Sequence, residues 1–213
     1  MLDAIKSAQL AMNEDNIRMQ MITDNISNMH TPAFQANFAD FLTDNTLTEN
    51  HQQSIGKLIE TKHPTDFALN GKGYVRVLTD EGEYYTRRLD CHLSEKGELV
   101  TAFGAKVLGQ SGPILLENTD FKVDDIKIPV YQFDPEASLH YLGQGLYQTT
   151  AAATPTEDTK LQQGFIETSN VKAIDEMSAM LSTVRHLDAE SQVMKTMNRI
   201  LNHAINTLGE TNV

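Results

Sequence analysis

A chain of 213 residues holds one large or two small domains. Its 17 basic and 29 acidic residues leave a net charge of −12, which repels phosphate backbones and anionic headgroups and argues against a nucleic-acid or peripheral-membrane role. Hydrophobic residues at 40% suffice for a core, but no apolar run nears the roughly 20 residues that cross a bilayer. Cys91 is the only cysteine, which removes an internal disulfide and a thiolate zinc cluster from consideration.

The opening stretch MLDAIKSAQLAMNEDNIR is amphipathic and acidic. It lacks the basic start, continuous apolar segment and small-residue cleavage site of a secretory signal. The expectation is synthesis in the cytoplasm and, if the chain leaves, a route without a cleaved signal. Over residues 2–29, Ile5, Met12, Met19 and Ile26 recur every seven residues, with Ala8, Ile22 and Met29 three positions after members of that row. That spacing predicts a helix with a narrow apolar seam. The helix should stop near His30, because Pro32 disfavours α conformation at Thr31.

None of the 12 glycines precedes Gly56, and nine fall between Gly71 and Gly145. Glycine supplies the positive φ of tight turns, so the middle of the chain should be turn-rich antiparallel β structure. Strands are predicted at 73–79, 83–87, 89–93, 98–103, 106–108, 114–117, 121–133 and 138–148. The polar stretch 44–63 and the Ala/Thr/Pro stretch around 151–160 are predicted to be linkers.

A second seam helix is predicted at the C-terminal end. Met180, Leu187, Met194, Leu201 and Leu208 recur at seven, flanked by Met177, Val184 and Ile205, with Ser169 or Asn170 as N-cap and Gly209 as stop. The expected fold class is α+β: long terminal helices forming a coiled-coil-like assembly domain around a central antiparallel all-β domain. The expected divisions are an assembly helix with its exit over 1–43, linkers at 44–63 and 151–160, a β-domain at 64–150 and a second assembly helix over 161–213. Seams this narrow cannot close a globular core, and isolated helices of this kind are marginal in water. They must pair with each other or with copies from other subunits.

The segment after the first helix reads TDNISNMHTPAFQ, and the segment before the last reads LQQGFIETSNVKAIDEM. Together they resemble the flagellar axial proteins, that is, rod, hook and hook-associated subunits. Asn25, Asn28, Thr31 and Phe34 match an A-N-N-x-A-N-x-x-T-x-G-F pattern, with Asp24, Ser27 and Ala33 in place of Asn, Ala and Gly. Gln163, Gly164, Glu167, Ser169, Asn170, Val171 and Arg185 match Q-G-x-L-E-x-S-N-V and the helix that follows it, with Ile166 in place of Leu. Between them, Leu69–Tyr74 resembles the family's L-x-G-x-G-F strand entry, Tyr85-Thr86-Arg87 its Y-T-R, and Leu142–Thr149 its closing G-x-x-L-Y element. The D-G that usually follows the first hairpin's arginine is absent, being Leu89-Asp90-Cys91. The small central domain favours a rod subunit over a hook subunit, and the T-P-x-F wording tilts toward the proximal rod.

The resemblance implies a structural subunit whose terminal helices pack as an inner tube within a β outer layer and transmit motor torque. Asn25, Asn28, Thr31, Pro32 and Phe34 would fix the exit from the first helix. Gly164, Glu167, Ser169 and Asn170 would fix entry to the last. Ile5, Met12, Met19, Ile26, Met180, Leu187, Met194 and Leu201 would form the seam. The implied partners are other rod subunits, copies of the same chain and the flagellar type III export apparatus, with neither nucleic acid nor membrane insertion. The implied place is the basal-body rod in the periplasmic space, with the helix ends disordered until assembly.

The residues offer little to a catalytic reading. No H-E-x-x-H occurs, and His186 and His203 lie several turns apart on one predicted helix. Cys91 and His92 are strand neighbours whose side chains point to opposite faces and cannot share a proton. Gly71-Lys72-Gly73 and Gly143-Gln144-Gly145 open no helix that could hold phosphate. The expectation is no enzyme, no metal and no cofactor. The competing class is a soluble binding module, chaperone- or adhesin-like, whose terminal helices close into an intramolecular coiled coil.

Overall fold

The computed structural model describes residues 2–41, 47–51, 54–117, 121–122, 126–134 and 139–210. Helix α1 spans Leu2–Ser27. Strands follow as β1 (Asn37–Phe41), β2 (Leu47–His51), β3 (Leu58–Glu60), β4 (Asp66–Asn70), β5 (Tyr74–Thr79), β6 (Gly82–Thr86), β7 (Leu89–Leu93) and β8 (Leu99–Thr101). The series continues with β9 (Lys106–Val107), β10 (Val130–Gln132), β11 (His140–Gly143), β12 (Leu146–Gln148), β13 (Thr154–Thr156), β14 (Lys160–Gln163) and β15 (Phe165–Glu167). Helix α2, Ala173–Glu210, closes the chain. The class is α+β, with a helix at each end of an antiparallel β region. Among the described residues no helix is long and apolar enough to cross a membrane.

The chain forms two compact units. One comprises Met1–Ile26, Asn37–Glu49 and Lys172–Val213; the other comprises Ser27–Ala36 and Asn50–Val171.

In the helical unit, α1 and α2 run antiparallel. Asn25 Nδ2 donates to Glu176 Oε1 at 3.1 Å, and further along, Asp15 Oδ2 lies 3.9 Å from His186 Nδ1. Met21, Ile22, Asp15, Asn25 and Thr183 are buried. Ile5, Met12, Met19 and Ile26 are half-buried, as are Leu187, Met194 and Leu201. Met180 is not: it stays 39% exposed. A straight α-helix drifts roughly 20° per heptad, so a strict seven-residue row rotates about 60° between Leu201 and Met180. The covered positions there are Ala179 and Thr183 instead. Ile174, Met177, Leu181 and Val184 form an apolar row on α2 that is also exposed. The helix runs through Gly209, the expected stop, to Glu210; the Leu208 side chain lies outside the described residues.

In the β unit the main sheet has the order β11-β12-β6-β5-β9-β8-β7-β4-β14, with β10 joined to β5 and β13. Every registered pair is antiparallel, as the density of turn glycines predicts. The hairpin β5–β6 pairs Thr79 with Gly82, so Asp80-Glu81 is a two-residue turn. Alternation along β5 sends Val75 and Val77 into the core with Phe67, Leu69, Leu89, Leu99 and Val107. A second aromatic cluster gathers Tyr74, Tyr147 and Leu139.

Several expected boundaries need correction. Within the expected 44–63 linker, Leu47–His51 forms β2, and Leu58–Glu60 forms β3 and pairs with β15; residues 44–46 and 52–53 of that stretch lie outside the described residues. The expected 151–160 linker carries β13, whose Pro155 pairs with Tyr131. The long strand expected at 121–133 reduces to β10, and 114–117 holds only the isolated bridge Glu98–Leu115. Of these two stretches, 123–125 lies outside the described residues. Composition misled here because Pro and Thr sit comfortably on short or edge strands.

Candidate functional site

The site is a joint inside the β unit where the exit from α1 and the approach to α2 are bound to each other. After α1 the backbone turns on Asn28. Its carbonyl accepts the Thr31 N–H at 3.0 Å, its Oδ1 accepts the Thr31 hydroxyl at 3.1 Å, and the Thr31 carbonyl then accepts the Phe34 N–H at 3.3 Å. Pro32 follows half-buried, and Ala33 adopts φ 56°, the left-handed region where a Cβ is strained. That conformation turns Phe34 inward. It is 1% exposed and meets Tyr141 edge-on at 5.3 Å.

The approach to α2 comes back alongside. Gly164 takes φ 77°, its N–H donating to the Asp66 carbonyl at 2.8 Å while its own carbonyl accepts the Thr61 N–H at 2.8 Å. Strand β15 then carries Glu167 under the exit segment. The Glu167 carbonyl accepts the Ala33 N–H at 2.8 Å, and the Phe34 carbonyl accepts the Asn170 N–H at 3.2 Å. Asn170 Oδ1 accepts the Ala36 N–H at 2.7 Å, and its Nδ2 donates to the carbonyl and hydroxyl of Ser54 at 2.9 and 3.0 Å. Two motifs more than a hundred residues apart in sequence thus share a bonded surface.

At the base of the joint lies a buried ion pair. Arg87, at the end of the β5–β6 hairpin, and Glu167 have side chains only 2% and 1% exposed. Arg87 Nε and Nη2 both donate to Glu167 Oε2, at 3.1 and 2.7 Å. Nη1 donates to the Gly73 carbonyl at 2.6 Å and Nη2 to the Gly71 carbonyl at 3.1 Å. The other carboxylate oxygen, Oε1, accepts the Gly56 N–H at 3.1 Å. Buried charges are tolerated only when paired and hydrogen-bonded, and both conditions hold here. Gly56 admits no substitute: a Cβ there would sit 1.8 Å from the Thr168 carbonyl oxygen.

A shell of aromatic and amide groups surrounds the pair. The Arg87 guanidinium lies 5.9 Å from the centre of the Tyr74 ring, and the Tyr74 hydroxyl donates to Gln35 Oε1 at 2.7 Å. Burial pushes the Tyr74 phenol up to about 12, against the pull of Arg87. A cavity of about 280 Å³ opens beside Arg87, Tyr74, Gln35, Lys72 and Phe133. The Tyr74–Gln35 and Arg87–Glu167 bonds already engage polar groups in its wall.

The structure brings Asn28, Thr31, Pro32 and Phe34 into the same joint as Gly164, Glu167 and Asn170. Neither Ser169 nor Asn170 caps α2. Ser169 Oγ accepts the Val171 N–H at 3.2 Å, Asn170 is committed to the exit segment, and Lys172 supplies the first helical carbonyl, to the Glu176 N–H. Asn25 acts within the helical unit: its amide grips Asn37 through both backbone groups, at 2.9 and 2.8 Å, besides reaching Glu176. Arg185 is exposed on α2 and takes no part in the joint. Sequence reasoning quoted Arg87 in its motif without giving it a role, and missed Gly56. No local signal marks Arg87: it follows the polar and aromatic stretch Glu83–Thr86 and lies 14 residues from Gly73, whose carbonyl it holds.

No catalytic constellation accompanies this geometry in the residues singled out from sequence. Cys91 is buried in the main core, where burial first and then the charges of Asp90 and Asp66 push its thiol up, while His92 points outward. Among the described residues, no group of three His, Cys, Asp or Glu side chains is placed to hold a metal ion.

Residues 162–207, which include the Glu167–Asn170 motif and most of α2, match the family model described as flagellar basal body rod FlgEFG protein C-terminal. Along nearly its whole length the chain is similar to curated rod proteins. It is 29% identical to the flagellar basal-body rod protein FlgF of Mesorhizobium japonicum, covering 95% of each chain. It is 26% identical to the flagellar basal-body rod protein FlgG of Bacillus subtilis, covering 97% of this chain and 99% of that one. To the FlgF of Rhizobium meliloti it is 29% identical, with 95% of each covered.

Proposed function

We propose, from the premise that this chain is a flagellar basal-body rod protein of the FlgF and FlgG kind, that it is a structural subunit of the rod and passes motor torque along it. The observation that carries this reading is the joint. Its two halves are the motifs that resemble the axial family, and they are bonded to each other, one following the first long helix in sequence and the other preceding the last. Full-length similarity to proteins named as rod subunits supports the same conclusion and favours a structural role over an enzymatic one.

The helices supply the assembly surface in this proposal. They pair within one chain, as a closed binding module would also have them do, but the pairing leaves Ile174, Met177, Leu181 and Val184 between 39% and 83% exposed. Fully covering an exposed apolar side chain of this size contributes about 1.5–3 kcal/mol, and these four, in part covered already, keep a share of that as a drive toward packing by other copies. A coiled-coil-like layer then forms from many helices lying nearly parallel to a common axis, through contacts of one face of a subunit with a different face of its neighbour. The seam residues Ile5, Met12, Met19, Ile26, Leu187, Met194 and Leu201 hold the pair together, and Met180 belongs with the outward row. The partners are other rod subunits and copies of this chain. Passage through the flagellar export apparatus to a rod in the periplasmic space completes the reading, as does the proximal position that the Thr31-Pro32-x-Phe34 wording favours.

The test is Met194→Asp in a strain lacking the endogenous gene. The half-buried Met194 lies in the helical unit, so the β unit should keep its near-native amide protection while incorporation into rods, and with it motility, is lost. Normal motility of that strain would count against the assignment.

A further inference from the structure

We propose that Arg87 is a positioning residue: through Glu167 it locks the exit of the first helix and the approach to the second onto the β-sheet, so that load is carried across the joint by directional bonds. This deepens the rod-subunit reading and rests on it. Three separate chain segments converge on the two residues of one ion pair. The guanidinium holds the carbonyls of Gly71 and Gly73, which lead into β5, while Glu167 holds Gly56 with its side chain and Ala33 with its carbonyl. All three are attached to one another through Arg87 and Glu167. Apolar contacts resist separation but slide past one another, because the hydrophobic effect has no direction. Charge-assisted hydrogen bonds, and above all a guanidinium fork, fix orientation as well as distance. Burial adds to this, since a low local dielectric strengthens each bond and water cannot compete for it. A buried ion pair is a poor source of net stability compared with apolar packing, and its best-attested use is to specify one geometry. The surroundings fit that use. Gly56 and Gly73 leave no room for a Cβ, at 1.8 Å from the Thr168 oxygen and 2.7 Å from Val130, so the backbone strands meeting at the pair are already in closest approach.

The experiment compares the full-length chain with the double variant Arg87→Met, Glu167→Leu, which replaces the pair by apolar side chains and avoids leaving one charge buried alone. Arg87→Lys serves as the conservative companion, keeping the charge and removing the fork. Amide hydrogen exchange on the purified proteins is read at Ala33, Gly56 and Asn170, with Val75 and Val77 as core reference positions. Both variants should exchange at least tenfold faster at Ala33, although its acceptor is a main-chain carbonyl that neither substitution removes, while the core amides keep their protection. In complemented cells both variants should swim in dilute medium and lose motility steeply as viscosity raises the load, with rods broken. Unchanged exchange at Ala33 in the double variant would overturn the proposal, as would equal loss of motility at every viscosity, which marks a defect of folding. The exchange result stands whatever the chain builds, so failure of the wild-type gene to restore flagella removes the rod reading and leaves the coupling to be judged on exchange.

Discussion

The joint and the helix pair solve opposite problems with opposite kinds of residue. In the joint, polar and charged groups are buried and tied: Arg87, Glu167 and Gln35 are each at most 3% exposed and are bonded to named partners. In the helix pair, apolar groups are left outside: Ile174 is 83% exposed and Ile205 64%. Buried, paired charge favours one geometry, whereas exposed isoleucine on a helix offers apolar surface that the proposed assembly would cover. On the proposed rod reading, the contrast separates a part whose geometry is set within one chain from a part that other copies would complete.

The largest way to break that contrast is to unpair the joint. Arg87→Ala leaves Glu167 buried without its cation, and removing one partner of a buried pair costs about 3–5 kcal/mol. Urea unfolding followed by tyrosine fluorescence should show the β unit losing that amount. A loss under about 1 kcal/mol would mean that water enters freely and the pair is effectively at the surface.

A second probe is alkaline pH. The Tyr74 phenol is held up to about 12 in the folded chain, against an ordinary value of 10.0. Between those values the unfolded state has released its proton and the folded state has kept it, so stability falls as pH rises through this window. Two pH units correspond to about 2.7 kcal/mol. Tyr147 and Cys91 are pushed in the same direction by burial and steepen the fall, the thiol beginning near its ordinary value of 9.0. Urea midpoints measured from pH 8 to 12 should decline monotonically, and Tyr74→Phe should flatten the decline. The half-exposed helical unit has no such tyrosine, so its helicity should change less over the same range.

Much of this was legible in the chain. Seven-residue apolar rows marked both helices because a narrow seam is a local property of sequence, and clustered glycines marked the antiparallel sheet because turns need positive φ. The exit and approach motifs were visible as motifs. Their meeting was not: Asn170 looked like a cap because Asn before a helix usually is one, and nothing local says that its amide is committed to Ala36 and Ser54. Arg87 was hidden for the same reason. A charged residue on a strand reads as exposed unless its partner, eighty residues away at Glu167, is known to arrive. Met180 failed differently, since a heptad row is only a seam over the few turns before a straight helix drifts out of register with it.

The smallest effect concerns a residue of the joint that works against its own conformation. Ala33 sits at φ 56° where the resembling pattern has glycine, and an L-residue held left-handed costs about 1–2 kcal/mol. Ala33→Gly relieves that strain but frees the unfolded backbone, at about 0.5–1 kcal/mol, and gives up a methyl that is 2% exposed. The balance should be a gain of about 0.5 kcal/mol, seen as a rise in the urea midpoint without a change in slope. A gain keeps the joint's rigidity in its hydrogen bonds, because the Ala33 N–H to Glu167 carbonyl bond survives the substitution. A loss of similar size would place part of that rigidity in the packing of the Ala33 methyl, and would narrow the difference between a joint set by directional bonds and a helix pair set by apolar cover.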